Sequence, residues 1–215
     1  KAREQGKIRF IGITNHRLAV AREAVESGLY DTLQFPFSYL SSESEKELAE
    51  QCREKDMGFL AMKALAGGLI NHSEMAYAFM NEYDNVLPIW GIQRESELDE
   101  FLSYQENPPK MEGGIAERIA EDIKEFKGDF CRGCGYCMPC PAGIEINNCA
   151  RMSLLIRRAV TANFLNKETQ EKMKKIEGCL ECGKCRSKCP YGLDTPELLK
   201  KNYKDYKEIL AGKSL

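Results

Sequence analysis

Eight of the ten cysteines fall into two copies of one pattern. The first places Cys131, Cys134, Cys137 and Cys140 within Cys-Arg-Gly-Cys-Gly-Tyr-Cys-Met-Pro-Cys-Pro-Ala-Gly-Ile. The second places Cys179, Cys182, Cys185 and Cys189 within Cys-Leu-Glu-Cys-Gly-Lys-Cys-Arg-Ser-Lys-Cys-Pro-Tyr-Gly-Leu. Both contain C-x-x-C-G-x-C and end in C-P-x-G before an aliphatic residue. The second matches the iron–sulfur spacing C-x2-C-x2-C-x3-C-P in full, and the first is one residue short before its last cysteine. Three thiolates two residues apart can wrap a glycine-containing loop around one cluster. Zinc sites more often draw two ligands from each knuckle, without a Cys-Pro. Disulfides need an oxidising compartment, and the first residues do not resemble a signal peptide. The expected compartment is the cytoplasm.

In two-cluster ferredoxins the cysteine before proline ligates the other cluster. The expected ligand sets therefore cross between motifs. Cys131, Cys134, Cys137 and Cys189 would hold one 4Fe–4S cluster, and Cys179, Cys182, Cys185 and Cys140 the second. Cys52 and Cys149 stand outside the pattern and read as small buried hydrophobes.

The charge is unevenly divided. Residues 1–130 carry 15 Lys and Arg against 24 Asp and Glu, whereas residues 131–215 carry 16 against 9. A basic half invites a nucleic-acid reading, but each oxidised four-thiolate cluster carries a formal charge of about −2, so much of the excess is counter-charge. No basic groove interleaved with aromatic residues stands out, and no nucleic-acid partner is expected. No apolar run reaches a transmembrane length, and no membrane association is expected.

The elements that must position these groups follow two periods. Short apolar runs at Ile8–Ile13, Thr32–Phe37, Gly58–Met62 and Val86–Trp90 read as strands. Helical patterns alternate with them at Leu18–Ser27, Ser44–Lys55, Met75–Tyr83 and Ser96–Tyr104. Ser44 with Glu47 reads as a capping box, and Leu98, Phe101 and Leu102 as an inward stripe. Four such βα units are half of an eight-stranded barrel. The chain opens at Lys1 on what reads as the last turn of a helix, as though cut within its fold. Residues 1–106 are expected to form the partial barrel, and residues 107–128 a linker with one docking helix over Ile115, Ile119, Ile123 and Phe126. Residues 129–215 are expected to form a mostly helical two-cluster domain. There, Cys149, Met152, Ile156, Ala159 and Val160 form an apolar face, and Asp194-Thr195-Pro196 opens a last helix.

The strand ends resemble the second half of the aldo/keto reductase family. Gly6–Asn15 is similar to that family's fifth strand, Gln34–Phe37 to the sixth, Leu60–Leu69 to the seventh and its Ala-Gly-Gly-Leu, and Leu87–Gly91 to the eighth. A subgroup of the family carries a C-terminal two-cluster ferredoxin domain that includes Cys-Gly-Tyr-Cys-Met-Pro-Cys-Pro, as at residues 134–141. The resemblance implies an α/β fold: strands 5–8 of a TIM-type (βα)8 barrel, then a mostly α-helical ferredoxin-like domain.

It also implies NAD(P)H as a cofactor. Thr14, Asn15 and Gln34 would face the carboxamide, Met62 would lie against the nicotinamide ring, and the loop from Lys63 through Leu65 and Gly67 would follow the pyrophosphate. Gly91 and Arg94 would sit near the adenosine end. Gln93 beside Arg94, and Phe101 in place of an Asn, depart from the family there. The family's Asp, Tyr, Lys and His tetrad belongs to the first four strands, so the resemblance assigns no catalytic residue here and implies a missing N-terminal half of the barrel as partner. Neither His16 nor His72 replaces its histidine. Hydride carries two electrons and each cluster one, so the clusters serve either structure or a separate redox partner protein. The rival reading is a non-enzymatic electron carrier or cluster-bearing interaction module.

Overall fold

The computed structural model describes residues 1–126, 130–158 and 160–214. The expected domain boundary at 128/129, Ala159 and the final residue lie outside the described residues. The chain forms two compact units: residues 1–66 with 72–126, and residues 67–71 with 127–215.

The first unit is a parallel sheet in sequence order, β1 (Gly12–Thr14), β2 (Thr32–Pro36), β3 (Gly58–Met62) and β4 (Val86–Pro88). Its connections are α1 (Leu18–Ser27), α2 (Glu43–Glu54) and α3 (Ser73–Met80), followed by α4 (Glu95–Glu106) and α5 (Ile115–Glu125). Leu33 and Phe35 of β2 and Phe59 and Ala61 of β3 are fully buried, while Gln34 and Leu60 between them are not. Residues of one parity meet Ala21 and Val25 of α1 and Leu48 and Cys52 of α2 in one buried layer. Strands laid down in order with the connecting helices on one face wind as in a (βα)8 barrel, not as in a doubly wound sheet.

The ends of these elements moved from where sequence patterning put them. Ile8 to Ile11 do not join the ladder: Ile11 gives its N–H to the Asp31 carboxylate at 2.7 Å and its carbonyl accepts from Asp31 N–H. The ladder therefore begins at Gly12, and Phe10 is left 64% exposed. The fourth strand likewise ends at Pro88. The capping box of α2 uses Ser42 and Glu45, two residues earlier than expected; Glu45 Oε2 accepts from Ser42 N–H at 2.8 Å. In α4 only Phe101 is buried, stacked on Trp90 with centroids 4.5 Å apart, while Leu98 and Leu102 share its side of the helix and line an open cavity with Trp90 and Pro88, where they stay exposed. The docking helix α5 packs within this unit, where Tyr39 donates to Asp122 at 2.5 Å and Arg118 pairs with Glu74 at 3.1 Å.

The second unit is helical. It contains α6 (Ile146–Cys149), α7 (Met152–Arg158), α8 (Lys167–Lys174), α9 (Lys184–Lys188) and α10 (Thr195–Leu210), with 3₁₀ turns at Thr161–Phe164 and Lys175–Gly178. Asp194 caps α10 by accepting from Glu197 N–H. The core joins Ile144, Ile146, Met152, Ile156, Met173, Leu199 and Tyr206, and Cys131, Cys137, Cys140, Cys179 and Cys185 pack against it. Val160 is 60% exposed, where it caps the start of the 3₁₀ turn and does not join the expected apolar face.

Candidate functional site

Eight of the nine cysteines of the second unit ring two cavities. One is lined by Cys131, Cys134, Cys137 and Cys189. The other is lined by Cys140, Cys179, Cys182 and Cys185, and Cys137 reaches it as well. Apart from the shared Cys137, each cavity takes its cysteines from one motif and is completed by the proline-flanked cysteine of the other. Sequence spacing left Cys137 on one side, and its position along both cavities depends on tertiary packing alone. Among the described residues no three His, Cys, Asp or Glu side chains converge tightly enough to hold a single metal ion.

Local sequence explains the loops. Gly133 and Gly135 in the first motif and Gly183 in the second adopt positive φ, the conformation that turns the chain between thiols spaced two residues apart. Gly133 N–H points at Cys131 Sγ, 3.4 Å away. Burial, followed by their neighbours' thiols, pushes the Cys137 thiol up to about 11. Cys131 and Cys185 are raised chiefly by burial as well. The neighbours acting on these groups cross the motifs, with Cys189 against Cys131, Cys140 against Cys185, and Cys185 against Cys137. Buried, mutually repelling thiols are poor anions by themselves, and bound iron supplies the positive charge that ionises them. The donor set and the paired cavities fit iron–sulfur clusters.

Arg132 lines the first cavity, its guanidinium 4.4 Å from the Tyr191 ring centroid and 4.9 Å from that of Phe130. The two remaining cysteines are buried away from both cavities. Cys149 donates to Lys172 O, and burial raises its thiol to about 11. Cys52 lies against Met57 Sδ at 3.8 Å, and burial raises it to about 12.

In the first unit, several expected nicotinamide residues meet at the C-terminal ends of the strands. Thr14 is in register with Gln34, and Asn15 N–H donates to Gln34 O at 3.1 Å. Pro36 is in register with Met62, and the Gln34 amide reaches Met62 Sδ at 4.0 Å. Asn15 Oδ1 accepts from Arg17 N–H at 2.6 Å, so its side chain also shapes the entry to α1. Lys63 holds a positive φ of 57° and its carbonyl closes a turn onto Ala66 N–H at 2.7 Å, with half-buried Leu65 between them. Burial and the nearby Lys63 both lower the His16 pKa. Gly91 turns at a φ of 70°, and exposed Arg94 pairs with Glu97 at 3.4 Å at the start of α4. Gly67 falls in the short segment that belongs to the second unit.

Residues 1–76 match the Aldo/keto reductase family, and residues 130–194 match a 4Fe–4S dicluster domain. Gly91 and Arg94 lie beyond the first matched span. No curated protein matches the chain. The chain joins an aldo/keto reductase domain to a 4Fe–4S dicluster domain, the organisation of an aldo/keto reductase with a C-terminal ferredoxin domain.

Proposed function

We propose that this iron–sulfur oxidoreductase of aldo/keto reductase type carries two 4Fe–4S clusters with crossed ligation and links them to NAD(P)H redox in the cytoplasm. The supporting observation is the division of eight cysteines between two cavities, each completed by the other motif's Cys-Pro cysteine. Cys131, Cys134, Cys137 and Cys189 would hold one cluster, and Cys140, Cys179, Cys182 and Cys185 the other. Bound there, each cluster supplies a one-electron store whose potential is set by charge, hydrogen bonds and solvent exposure. The chain's own groups do the rest: the apolar core behind the cysteines limits water on one side, and Gly133 N–H is aimed at a ligand sulfur.

At the strand ends, Thr14, Asn15 and Gln34 offer hydroxyl and amide groups of fixed direction for a carboxamide, and Met62 offers a polarisable apolar surface for a ring. The electrons are expected to pass to a separate protein partner, with neither nucleic acid nor membrane involved. A rival reading as a non-enzymatic electron carrier draws on one observation, the use of Asn15 Oδ1 to cap the turn into α1.

Two measurements test the proposal. Anaerobically reconstituted chain should contain about eight irons and matching acid-labile sulfide. Cys189→Ser should damage the cluster held mainly by the first motif and spare the other, as read by electron paramagnetic resonance. Damage confined to the second motif's cluster sinks the crossed assignment, and stoichiometric zinc without iron sinks the clusters altogether.

A further inference from the structure

Arg151 lies in the two-residue break between α6 and α7, and its guanidinium is turned over the first cysteine loop. An ideal Cβ placed on Gly133 would lie 3.0 Å from Arg151 Cζ and 3.3 Å from Nε, so a side chain at residue 133 would have to push the guanidinium aside. On its other side Nη1 donates to Gly67 O at 3.2 Å, within the same unit. A Cβ on Gly67 would lie 2.9 Å from that nitrogen. Glycines on both sides hold the guanidinium in a slot.

Two further observations give this slot a meaning. Arg151 Nε is buried with no hydrogen-bond partner among the described residues. Among those residues Arg151 also has no carboxylate partner, and the group it acts on electrostatically is Cys131. A half-buried cation whose Nε–H is shut away from solvent is costly without an anion, and such a charge is normally paired. The anion on offer is the sulfur-rich content of the Cys131 cavity.

We propose that Arg151 is the counter-charge of the first cysteine cavity, a positioning residue that sets the reduction potential of the cluster held there through its charge and its unspent Nε–H. The inference rests on the reading of that cavity as a cluster site. Each electron added inside the cavity increases the negative charge facing the guanidinium, so Arg151 favours the reduced state. A unit charge within several ångströms, at the effective dielectric of a protein site, changes such an equilibrium by about tenfold or more. Arg132 also lines the cavity but is held against two aromatic rings, so the two arginines are not interchangeable.

The test is a dithionite titration of the reconstituted chain, followed by electron paramagnetic resonance, with iron counted first. Arg151→Gln should lower one midpoint by about 59 mV or more, the one-electron equivalent of tenfold, and leave the other in place. Gly67→Ala, which crowds Nη1 without removing the charge, should shift the same midpoint by less. If both clusters load and neither midpoint moves in Arg151→Gln, the inference is overturned. If Arg151→Gln fails to load one cluster, Arg151→Lys decides: loading restored by the lysine supports the counter-charge, and loss in both variants overturns it in favour of packing alone. Wild-type chain without iron overturns the cluster reading, and this inference with it.

Discussion

Asn202 is a buried amide that ties α10 to the back of the cysteine-bearing loops. Its Oδ1 accepts from Ser153 N–H at 2.9 Å, and its Nδ2 donates to Ala150 O at 3.1 Å and to Leu198 O at 2.9 Å. Leu198 O lies one helical turn back in α10 and keeps its place in the helix ladder when the amide is removed. Ser153 N–H is in the first turn of α7, where no intrahelical acceptor exists, and Ala150 O follows the short α6. Asn202→Ala therefore strands one buried donor and one buried acceptor, each costing about 1–3 kcal/mol. The expected loss is about 2–6 kcal/mol. With a urea slope of about 2 kcal/mol per molar, the midpoint should fall by about 1–3 M. The assay is anaerobic urea unfolding of the cluster-loaded chain, followed by far-ultraviolet circular dichroism and by visible cluster absorbance. Asn202→Asp supplies a second reading: it keeps an acceptor for Ser153 but sets carboxylate oxygen against two carbonyls, so at pH 7 it should be at least as damaging as alanine. A midpoint within about 0.3 M of wild type in Asn202→Ala, or an Asp variant as stable as wild type, would refute the argument that this amide holds α10 in place.

Four other outcomes are expected. Asp205 is held well below the usual carboxylate range, first by the Arg157 hydrogen bond, with Arg157 Nη1 at 2.6 Å. Because its folded pKa is depressed, this stabilisation is present above the ordinary carboxylate pKa of about 4 and is lost as pH falls from there through the folded value. Asp205→Asn should cost about 1–3 kcal/mol at pH 7, with the gap to wild type narrowing below pH about 4 in denaturation curves. Phe59 is fully buried, its ring edge-on to Phe37 with centroids 5.3 Å apart, and Phe59→Ala should cost about 3–5 kcal/mol in thermal unfolding. Leu29→Ala, at a position 69% exposed, should stay within about 0.5 kcal/mol of wild type. In fluorescence titrations with NADPH and NADH, Gln34→Ala should weaken binding several-fold without altering the cluster spectra; indifference to the change would favour the electron-carrier reading.

Local pattern made much of this fold legible. α1 begins and ends where its apolar spacing predicts, with Gly28 in the left-handed conformation just beyond. β2 and β3 begin where expected because their alternating residues feed one buried layer. The misplacements have two causes, competing local signals and partners elsewhere in the chain. Ser42 and Ser44 each begin a Ser-x-x-Glu pattern, and which of the two caps α2 is not settled by spacing. β1 was shortened by the Asp31 carboxylate, 20 residues away from the Ile11 N–H that it takes. Leu98 and Leu102 stay more exposed than Phe101, which alone stacks on Trp90. In the cysteine-bearing unit, the motifs marked out eight residues by themselves, whereas Arg151 stands in no motif. Its position becomes meaningful only when Gly67, 84 residues away, and the Gly133 loop close around it.

The sequence's uneven charge acquires a local meaning in the same way. Of the nine acidic residues after residue 130, six are held in ion pairs along helix surfaces: Glu145 and Glu168 with Lys172, Glu181 with Lys200, Asp194 with Arg186, Asp205 with Arg157 and Lys213, and Glu208 with Lys213. Glu177 accepts from the Tyr203 hydroxyl at 2.7 Å. Apart from the half-buried Asp205–Arg157 pair, exposed pairs of this kind contribute little stability, but they fix where the negative side chains are spent. None of these carboxylates is among the groups that line the first cysteine cavity, where Arg132 is found and beside which Arg151 acts on Cys131. The basic excess is therefore not spread evenly over the unit: part of it is placed where the thiols converge, and a cluster bound by them brings the negative charge that such a placement requires.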